Sequence, residues 1–179
     1  ILDRYRIPAT FFVVPGRVGA FLDHDRPTAD ARLMSWADIH QLEKRGFDIG
    51  AHTLSHRRLA TLDRAEQVHE IIEGGRLLEK NLGHRVLSFA YPFGSALDYS
   101  AVSVELVRQA GYDYALSNRY GRCNAEKERW ELRRIWIDRT DSFVMFQAKV
   151  NGALDTLAFL DSGWGIRTRR GLNTLLRIR

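Results

Sequence analysis

Short apolar runs typical of β-strands alternate with long helical patterns, and this alternation constrains the fold more than any other feature. Strand patterns lie at 9–14, 47–51, 86–91, 112–117 and 132–137. Helical periodicity predicts helices at 35–45, 63–82, 100–110 and, in the main, 141–159. Parallel strands need crossover connections of about this length, so the sequence predicts an α/β fold with a parallel sheet or barrel. In such folds chemistry gathers where the strands end.

Start and stop signals support three of these helices. Ser35 can cap the first helix, and Gly46 follows its end. Asp63 and Glu66 form a capping-box pattern before the longest helix, which Gly83 terminates. The third helix is expected to end at the glycine after residue 110.

The charge of the chain is concentrated at one end. The 179 residues carry a formal net charge of +5, and 160–179 hold five arginines against one aspartate. The remainder is therefore nearly neutral. A terminal cluster of this kind predicts a solvated basic segment, and we do not expect nucleic acid as a partner.

Length and composition predict one domain spanning 1–179, with 160–179 as its basic C-terminal segment. We find no internal repeats and no linker-like stretches. No apolar run approaches the roughly 18–20 residues of a membrane-spanning helix. Cys123 is the one cysteine, which excludes an internal disulfide and any metal cluster built from several cysteines.

The loop after the second predicted strand carries a candidate metal site. His52 and His56 lie four residues apart in the sequence Gly-Ala-His-Thr-Leu-Ser-His at 50–56. If this segment coils into a helical turn, both imidazoles can face one point, and imidazole binds borderline divalent metals. A carboxylate would complete a catalytic set of three ligands. The alternative is that one histidine caps a helix and the other lies on the surface.

Four other histidines lack this arrangement and are expected to be exposed to solvent rather than bound to metal: His24, His40, His69 and His84. None of them has a second histidine or a carboxylate at metal-binding spacing after a strand, although Asp23 and Asp25 flank His24.

The loop after the third predicted strand contains a sharp turn. The sequence Phe-Ala-Tyr-Pro-Phe-Gly at 89–94 ends a strand in a Pro-aromatic-Gly pattern. Such a turn can direct a backbone N–H into the cleft at the strand ends, where it can serve an oxyanion hole. The alternative is a buried strand followed by an ordinary turn.

Three segments together carry a resemblance to a known family. Residues 7–13, 50–56 and 89–94 occur in the order and spacing found in polysaccharide deacetylases, the NodB-homology group also called carbohydrate esterase family 4. The likeness covers roughly residues 1–150. The His-Thr-x-x-His element is its most specific part, and the Ala-Thr-Phe-Phe strand and the Tyr-Pro-Phe-Gly turn support it.

The resemblance implies a distorted (β/α) barrel that removes N-acetyl groups from the amino sugars of a polysaccharide or oligosaccharide. It implies a divalent metal, usually zinc, with His52 and His56 as ligands. The metal would polarise the acetamide carbonyl and activate water at neutral pH. The backbone N–H of Phe93 would share the oxyanion with the metal. Thr53 would help set the loop, and Tyr91 would line the cleft.

The chain also departs from the family pattern. The family's Thr-Phe-Asp-Asp motif, which supplies the catalytic base and the aspartate ligand, lies some two dozen residues before the segment that matches 9–14. We therefore expect a fragment with a barrel incomplete at its N-terminal strand, inactive or nearly so as given. Ala90 stands where the third motif usually has arginine. The late histidine that acts as general acid has no counterpart, which leaves Asp138 or Asp141 as weak candidates.

Two functions follow from the resemblance. The first is a metal-dependent hydrolase acting on N-acetylated glycans; the second is a degenerate glycan-binding domain without catalysis. Tyr91, Phe93 and Trp136 could stack on sugar rings in either case. We also expect self-association through the exposed edge of the barrel beside 9–14. The resemblance favours the cell envelope or an extracytoplasmic location and leaves the cytoplasm open.

Overall fold

A computed structural model of the chain describes residues 1–21, 32–122 and 126–156, together with Ala158 and Gly165. Five strands are present in it: β1 (Thr10–Val13), β2 (Asp48–Ala51), β3 (Ser88–Ala90), β4 (Tyr114–Tyr120) and β5 (Leu132–Arg134). The α-helices are α1 (Leu2–Tyr5), α2 (Trp36–Lys44), α3 (Arg64–Val68), α4 (Gly74–Leu82), α5 (Ala101–Gln109) and α6 (Phe143–Val150). Short 3-10 turns lie at Pro15–Arg17 and Leu59–Thr61.

The five strands form one parallel sheet in the order β1-β2-β3-β4-β5, so neighbours in sequence are neighbours in space. β1 pairs with β2 from Thr10 opposite Asp48 to Val13 opposite Ala51. This arrangement confirms the predicted α/β fold. In the described part of the chain the sheet is open, as expected for a barrel that is incomplete beside β1. Because the strands are parallel, the carboxyl ends of all five lie at the same edge of the sheet.

The predicted capping signals are present. The Ser35 hydroxyl accepts a hydrogen bond from the Asp38 amide at the start of α2, and the Asp38 carboxylate accepts one from the Ser35 amide. Asp63 and Glu66 make the same reciprocal pair at the start of α3. These caps satisfy amides that have no partner within the helix, which is why both helices begin where the sequence predicts.

The helix predicted at 63–82 is continuous, but its middle is wider than an α-helix. A π-helical segment, His69–Glu73, joins α3 to α4. Ile71 in this segment and Leu78 in α4 are fully buried against the sheet. Single π turns inside α-helices are frequent at functional sites. Residues of this segment contact the loop at 52–56, the histidine loop.

The core lies between the sheet and helices α2 to α5. Its largest fully buried side chains are Tyr91, Phe89, Ile39, Leu59, Ile71 and Leu78. Phe89 packs edge-on to Tyr91 at 5.3 Å between ring centroids, and Tyr112 lies 5.2 Å from Phe89. Such contacts keep β3 rigid in the middle of the sheet.

The last predicted elements are shorter than the sequence indicates. The strand expected at 132–137 ends at Arg134, and the helix expected at 141–159 is confirmed only over α6, after which turns follow. Phe143 and Val144 in α6 are exposed. The apolar residues of this region therefore do not mark a buried helical face, and counting them as one made the predicted helix too long. Cys123 and almost all of 160–179 lie outside the described residues. No helix within the described part of the chain is both long and apolar enough to cross a membrane.

Candidate metal centre

His52 follows β2 directly and its ring is fixed by β3. The His52 amide donates to the carbonyl of Val13 at 2.9 Å, which extends the pairing of β1 with β2. The Nδ1 atom of His52 lies 2.7 Å from the carbonyl oxygen of Ala90, at the end of β3. Since a carbonyl can only accept, Nδ1 carries the proton and Nε2 keeps its lone pair. Metal-binding histidines commonly make such a bond from the ring nitrogen that does not face the metal.

The two histidines predicted as ligands lie together. The ring centroids of His52 and His56 are 4.8 Å apart, with the rings at 69° to one another. Burial is the main cause that lowers the pKa of His52 to about 4; the bond to the Ala90 carbonyl opposes it, and the nearby His56 and Arg134 add to it. A histidine with this pKa is neutral at pH 7, the form in which imidazole binds metal.

Two residues of the histidine loop adopt left-handed backbone angles. Thr53 has φ of 61° and His56 has φ of 67°. Such angles cost about 1–3 kcal/mol for residues other than glycine and persist where the surroundings impose them. The hydroxyl of buried Thr53 accepts a hydrogen bond from the His56 amide at 3.0 Å. Thr53 therefore sets the loop, as the resemblance implied.

The π-helical segment holds the histidine loop by hydrogen bonds. The buried carboxylate of Glu70 accepts hydrogen bonds from the amide and the hydroxyl of Ser55, and the Glu70 carbonyl accepts one from Leu54 at 2.9 Å. A Cβ atom on Gly74 would lie 2.7 Å from the Leu54 nitrogen. Helix and loop thus approach so closely that only glycine fits at this position.

The turn at 91–94 lies beside the histidine loop. The rings of His56 and Phe93 are 5.1 Å apart, and the guanidinium of Arg58 lies 4.6 Å from the centre of the Phe93 ring. Phe93 has φ of 61°, a third left-handed residue at this edge of the sheet. In the described residues its amide donates to no acceptor. The structure therefore brings Phe93, whose amide is the candidate oxyanion donor, into ring contact with His56, one of the candidate metal ligands.

The side chain of Tyr91 does not line the cleft, and this expectation is wrong. Tyr91 is 0% exposed, its ring stacks on Tyr99 at 4.1 Å, and its hydroxyl donates to the Trp130 carbonyl at 2.8 Å. Side chains alternate between faces along a strand, and this position points into the layer between sheet and helices. Burial raises the pKa of Tyr91 well above its ordinary value, so the phenol stays neutral.

The two candidate general acids are poorly suited to that role. The Asp138 carboxylate accepts hydrogen bonds from the hydroxyl and amide of Thr140, and these bonds lower its pKa. Asp141 bonds to Lys149, which lowers its pKa as well. Both residues lie in the turn before α6, and an acid whose pKa is lowered rarely carries a proton at neutral pH. Trp136, which precedes this turn, is 60% exposed.

The donor set suits a borderline divalent metal but is not complete in the described residues. Two imidazoles with a fixed tautomer fit zinc. Within 1–21, 32–122 and 126–156 no third His, Cys, Asp or Glu side chain joins them. Asp23 and Asp25, like His24, lie outside the described residues.

Comparison with known proteins identifies the family of the chain. Residues 1–115, more than half of the chain, match the sequence profile of the polysaccharide deacetylases. The chain belongs to the polysaccharide deacetylase family. The matched region of this deacetylase-family chain contains β1 to β3 together with the histidine loop and the turn at 91–94.

Individual relatives are distant and longer. YxkH of Bacillus subtilis (strain 168) is 20% identical over 137 residues, which make up 76% of this chain and 44% of YxkH. The chain thus spans less than half the length of this curated relative. The deacetylase PplD of Streptococcus pyogenes, whose structure was solved with acetate, superposes with a TM-score of 0.69 at 20% identity, covering 83% of this chain and 61% of PplD. IcaB from Ammonifex degensii gives 0.66 at 22% identity, covering 83% and 64%. These similarities confirm the fold.

Sequence reasoning missed four residues that hold the site together: Glu70, Gly74, Asn118 and Arg134. Glu70 sits in a helical pattern where a charged residue is usually exposed. Two glycines at 74 and 75 inside a helix were the available signal of a close backbone approach, because glycine weakens a helix interior without such a reason. Asn118 and Arg134 had no local signal.

Proposed function

We propose that the chain forms part of a metal-dependent deacetylase that removes acetyl groups from the amino sugars of a glycan. The single observation that carries this proposal is the close grouping of His52, His56 and Phe93 at the strand ends. A fixed histidine tautomer, a Phe93 amide without an acceptor among the described residues, and two left-handed loop residues at one point are more than a structural turn requires.

Each residue has a definite task in this proposal. His52 and His56 hold a divalent metal, for which zinc fits the nitrogen ligands best. The bound metal supplies Lewis-acid polarisation of the acetyl carbonyl and lowers the pKa of water. The Phe93 amide donates a hydrogen bond to the developing oxyanion. Aromatic contact between Phe93 and a sugar ring would orient the acetyl group.

A second candidate function is glycan binding without catalysis. The observation in its favour is that the described residues offer two metal ligands rather than three and no suitable general acid. Half-exposed Phe93 and exposed Trp136 could stack on sugar rings without any metal. Metal affinity separates the two functions, because a pure binder has no need of the histidine pair.

Zinc titration calorimetry on the 179-residue protein tests the proposal. We expect zinc to bind with a 1:1 ratio, and His52→Ala to weaken affinity more than about tenfold, since even the loss of a residue that only supports a metal ligand costs about 10- to 100-fold. His40→Ala is the matched control, because His40 is a half-exposed histidine of α2 whose Nδ1 bonds to Glu43. Equal zinc binding by the parent and His52→Ala would overturn the metal site.

Release of acetate tests the reaction itself. Because the described residues offer only two of the three expected metal ligands, we expect release to be slow. The zinc-loaded protein is therefore incubated at high concentration with N-acetylated chitooligosaccharides, and free acetate is measured with and without a chelator. Chelator-sensitive release that His56→Ala abolishes supports the deacetylase. Binding of the oligosaccharide without any release, unchanged by chelation, supports the glycan-binding alternative.

A further inference from the structure

Asn118, a half-buried residue near the C-terminal end of β4, holds the turn that contains Phe93. The Asn118 amide donates to the Gly94 carbonyl at 2.9 Å, and its side-chain Nδ2 donates to the Phe93 carbonyl at 2.8 Å. A Cβ atom on Gly94 would lie 2.6 Å from the Asn118 nitrogen, so the close approach requires glycine. Asn118 therefore binds the carbonyls of two successive turn residues.

Arg134, on β5, determines which end of the Asn118 side chain faces the turn. The Arg134 Nη2 donates to Asn118 Oδ1, and its Nε donates to the Ser117 carbonyl at 2.8 Å. A guanidinium has donors and no acceptor. Asn118 must therefore present its oxygen to Arg134 and its NH₂ group to Phe93. The planar fork of arginine spans both partners at once, which lysine cannot do.

These bonds restrict the peptide on both sides of the Phe93 amide. The proline ring fixes φ of Pro92, and the bonds from Asn118 hold the carbonyl groups of Phe93 and Gly94. Phe93 is left-handed, with φ of 61°, an angle that a phenylalanine seldom adopts without external support. Within the turn the Gly94 amide also donates to the Pro92 carbonyl, which shares a peptide plane with the Phe93 N–H, at 2.6 Å. The orientation of the Phe93 N–H thus depends on this local bond together with the support from Asn118 on β4 and, through Asn118, from Arg134 on β5.

We propose that Asn118 and Arg134 are positioning residues that hold the Phe93 amide in the direction required of an oxyanion donor, an inference that rests on the deacetylase function proposed above. Neither side chain needs to contact the substrate. Their effect is exerted where negative charge develops, so it belongs to the transition state and not to substrate binding.

The experiment compares four variants of the 179-residue protein. Asn118→Asp replaces the NH₂ group facing the Phe93 carbonyl with an oxygen, and Arg134→Lys keeps the charge but removes the fork. Asn81→Asp is the matched control for the first, because Asn81 makes the same kind of bond to the Leu77 carbonyl at 2.8 Å, on α4. Arg133→Lys is the control for the second, since Arg133 pairs with Glu128.

Three quantities are measured for each variant: the ¹⁵N–¹H resonance and hydrogen exchange of the Phe93 amide, zinc affinity, and kcat and KM for a chitooligosaccharide. For Asn118→Asp we expect a shifted resonance, exchange at least about tenfold faster, and kcat lowered about 10- to 100-fold, less than the loss of a whole oxyanion donor. KM and zinc affinity stay within about threefold. Arg134→Lys gives a smaller change in the same direction, and both controls match the parent.

Two results would overturn the inference. One is a Phe93 amide in Asn118→Asp with the resonance and exchange of the parent; the other is a kcat that falls no further than in Asn81→Asp. If Asn118→Asp does not fold, Asn118→Ala removes the same side-chain bonds without adding charge. The resonance and hydrogen exchange of the Phe93 amide in that variant then provide the test. Failure of the proposed function can be distinguished from failure of this inference. The resonance and hydrogen exchange of the Phe93 amide can be measured even in a protein without zinc binding or turnover.

Discussion

Three residues other than glycine adopt left-handed backbone angles around the candidate site: Thr53, His56 and Phe93. Each angle is unfavourable by itself, and each is maintained by a specific contact. For His56 that contact is the bond from its amide to the buried Thr53 hydroxyl. Local strain at these positions places the candidate ligand His56 and the candidate oxyanion donor Phe93 where an unstrained loop would not.

The Thr53 hydroxyl is predicted to be necessary for this geometry. Thr53→Val keeps the shape but leaves the His56 amide without its acceptor, at a cost of about 1–3 kcal/mol in the free energy of unfolding. We expect weaker zinc binding as well, because His56 loses its support. Thr53→Ser, which keeps the hydroxyl, is the control and should resemble the parent. Urea denaturation and zinc calorimetry check both; equal effects of Val and Ser would contradict the prediction.

His84 is predicted to make stability depend on pH. The Arg85 carbonyl and then the Glu43 carboxylate raise the pKa of His84 above its ordinary value. A raised pKa in the folded state adds stability below the unfolded pKa of about 6.5, and this stability is lost as pH rises through the folded pKa. We therefore expect His84→Gln to destabilise the protein more at pH 5.5 than at pH 8.5.

The effect of His84 should stay below about 1 kcal/mol, because the side chain is more than half exposed and solvent screens the pair. Thermal unfolding at the two pH values measures it. Arg76→Gln is the control, since arginine keeps its charge throughout this range. A difference between parent and His84→Gln that does not change with pH would contradict this assignment.

Among the elements, the helix from α3 to α4 positions the histidine loop. Its π-helical segment carries Glu70 to Ser55, and Gly74 lets the helix backbone touch Leu54. Helix propensity and packing make opposite predictions at Gly74. Alanine gains about 1 kcal/mol as a helix former, whereas its methyl group collides with the loop backbone.

Packing is expected to win. Gly74→Ala should lower the free energy of unfolding by about 1–3 kcal/mol, the cost typical of an overpacked core, and zinc affinity should fall because the loop must move. Arg76→Ala, on the exposed face of α4, should change stability by no more than about 0.5 kcal/mol. Chemical denaturation checks both variants. A Gly74→Ala protein as stable as the parent would show that the loop yields easily.

For the molecule as a whole, β1 is an edge of the described sheet. The carbonyls of Ala9 and Val13 accept bonds from the β2 side, so in a parallel ladder Thr10 and Phe12 direct their backbone groups to the open edge. Unpaired edges favour association with another strand. We predict concentration-dependent self-association of the 179-residue protein through β1.

Sedimentation velocity over roughly 10–200 μM tests this association. Thr10→Pro removes one edge-facing N–H and leaves the pairing with β2, so it should shift the protein toward monomer. Thr61→Ala, in the turn before α3, is the control. Thr140→Pro would be unsuitable, because the Thr140 amide donates a hydrogen bond to Asp138. A monomeric parent over the whole concentration range would rule out the edge as an interface.

The amino-acid sequence by itself determined the α/β fold, the capping boxes at Ser35 and Asp63, and the two loops that carry the site. These features depend on spacings of two to four residues, which can be read directly from the amino-acid sequence. The structure confirms the fold and the capping boxes, and the match over 1–115 confirms the polysaccharide deacetylase family.

Only the tertiary structure decided which side chains support the site. Tyr91 is in the core and not in the cleft, because strand alternation and packing on Tyr99 fix its direction. Glu70 reaches Ser55 across fifteen residues, and Asn118 reaches Phe93 across twenty-five. Such partners are set by which strands and helices become neighbours, a choice made by burying one common core and not by any local pattern.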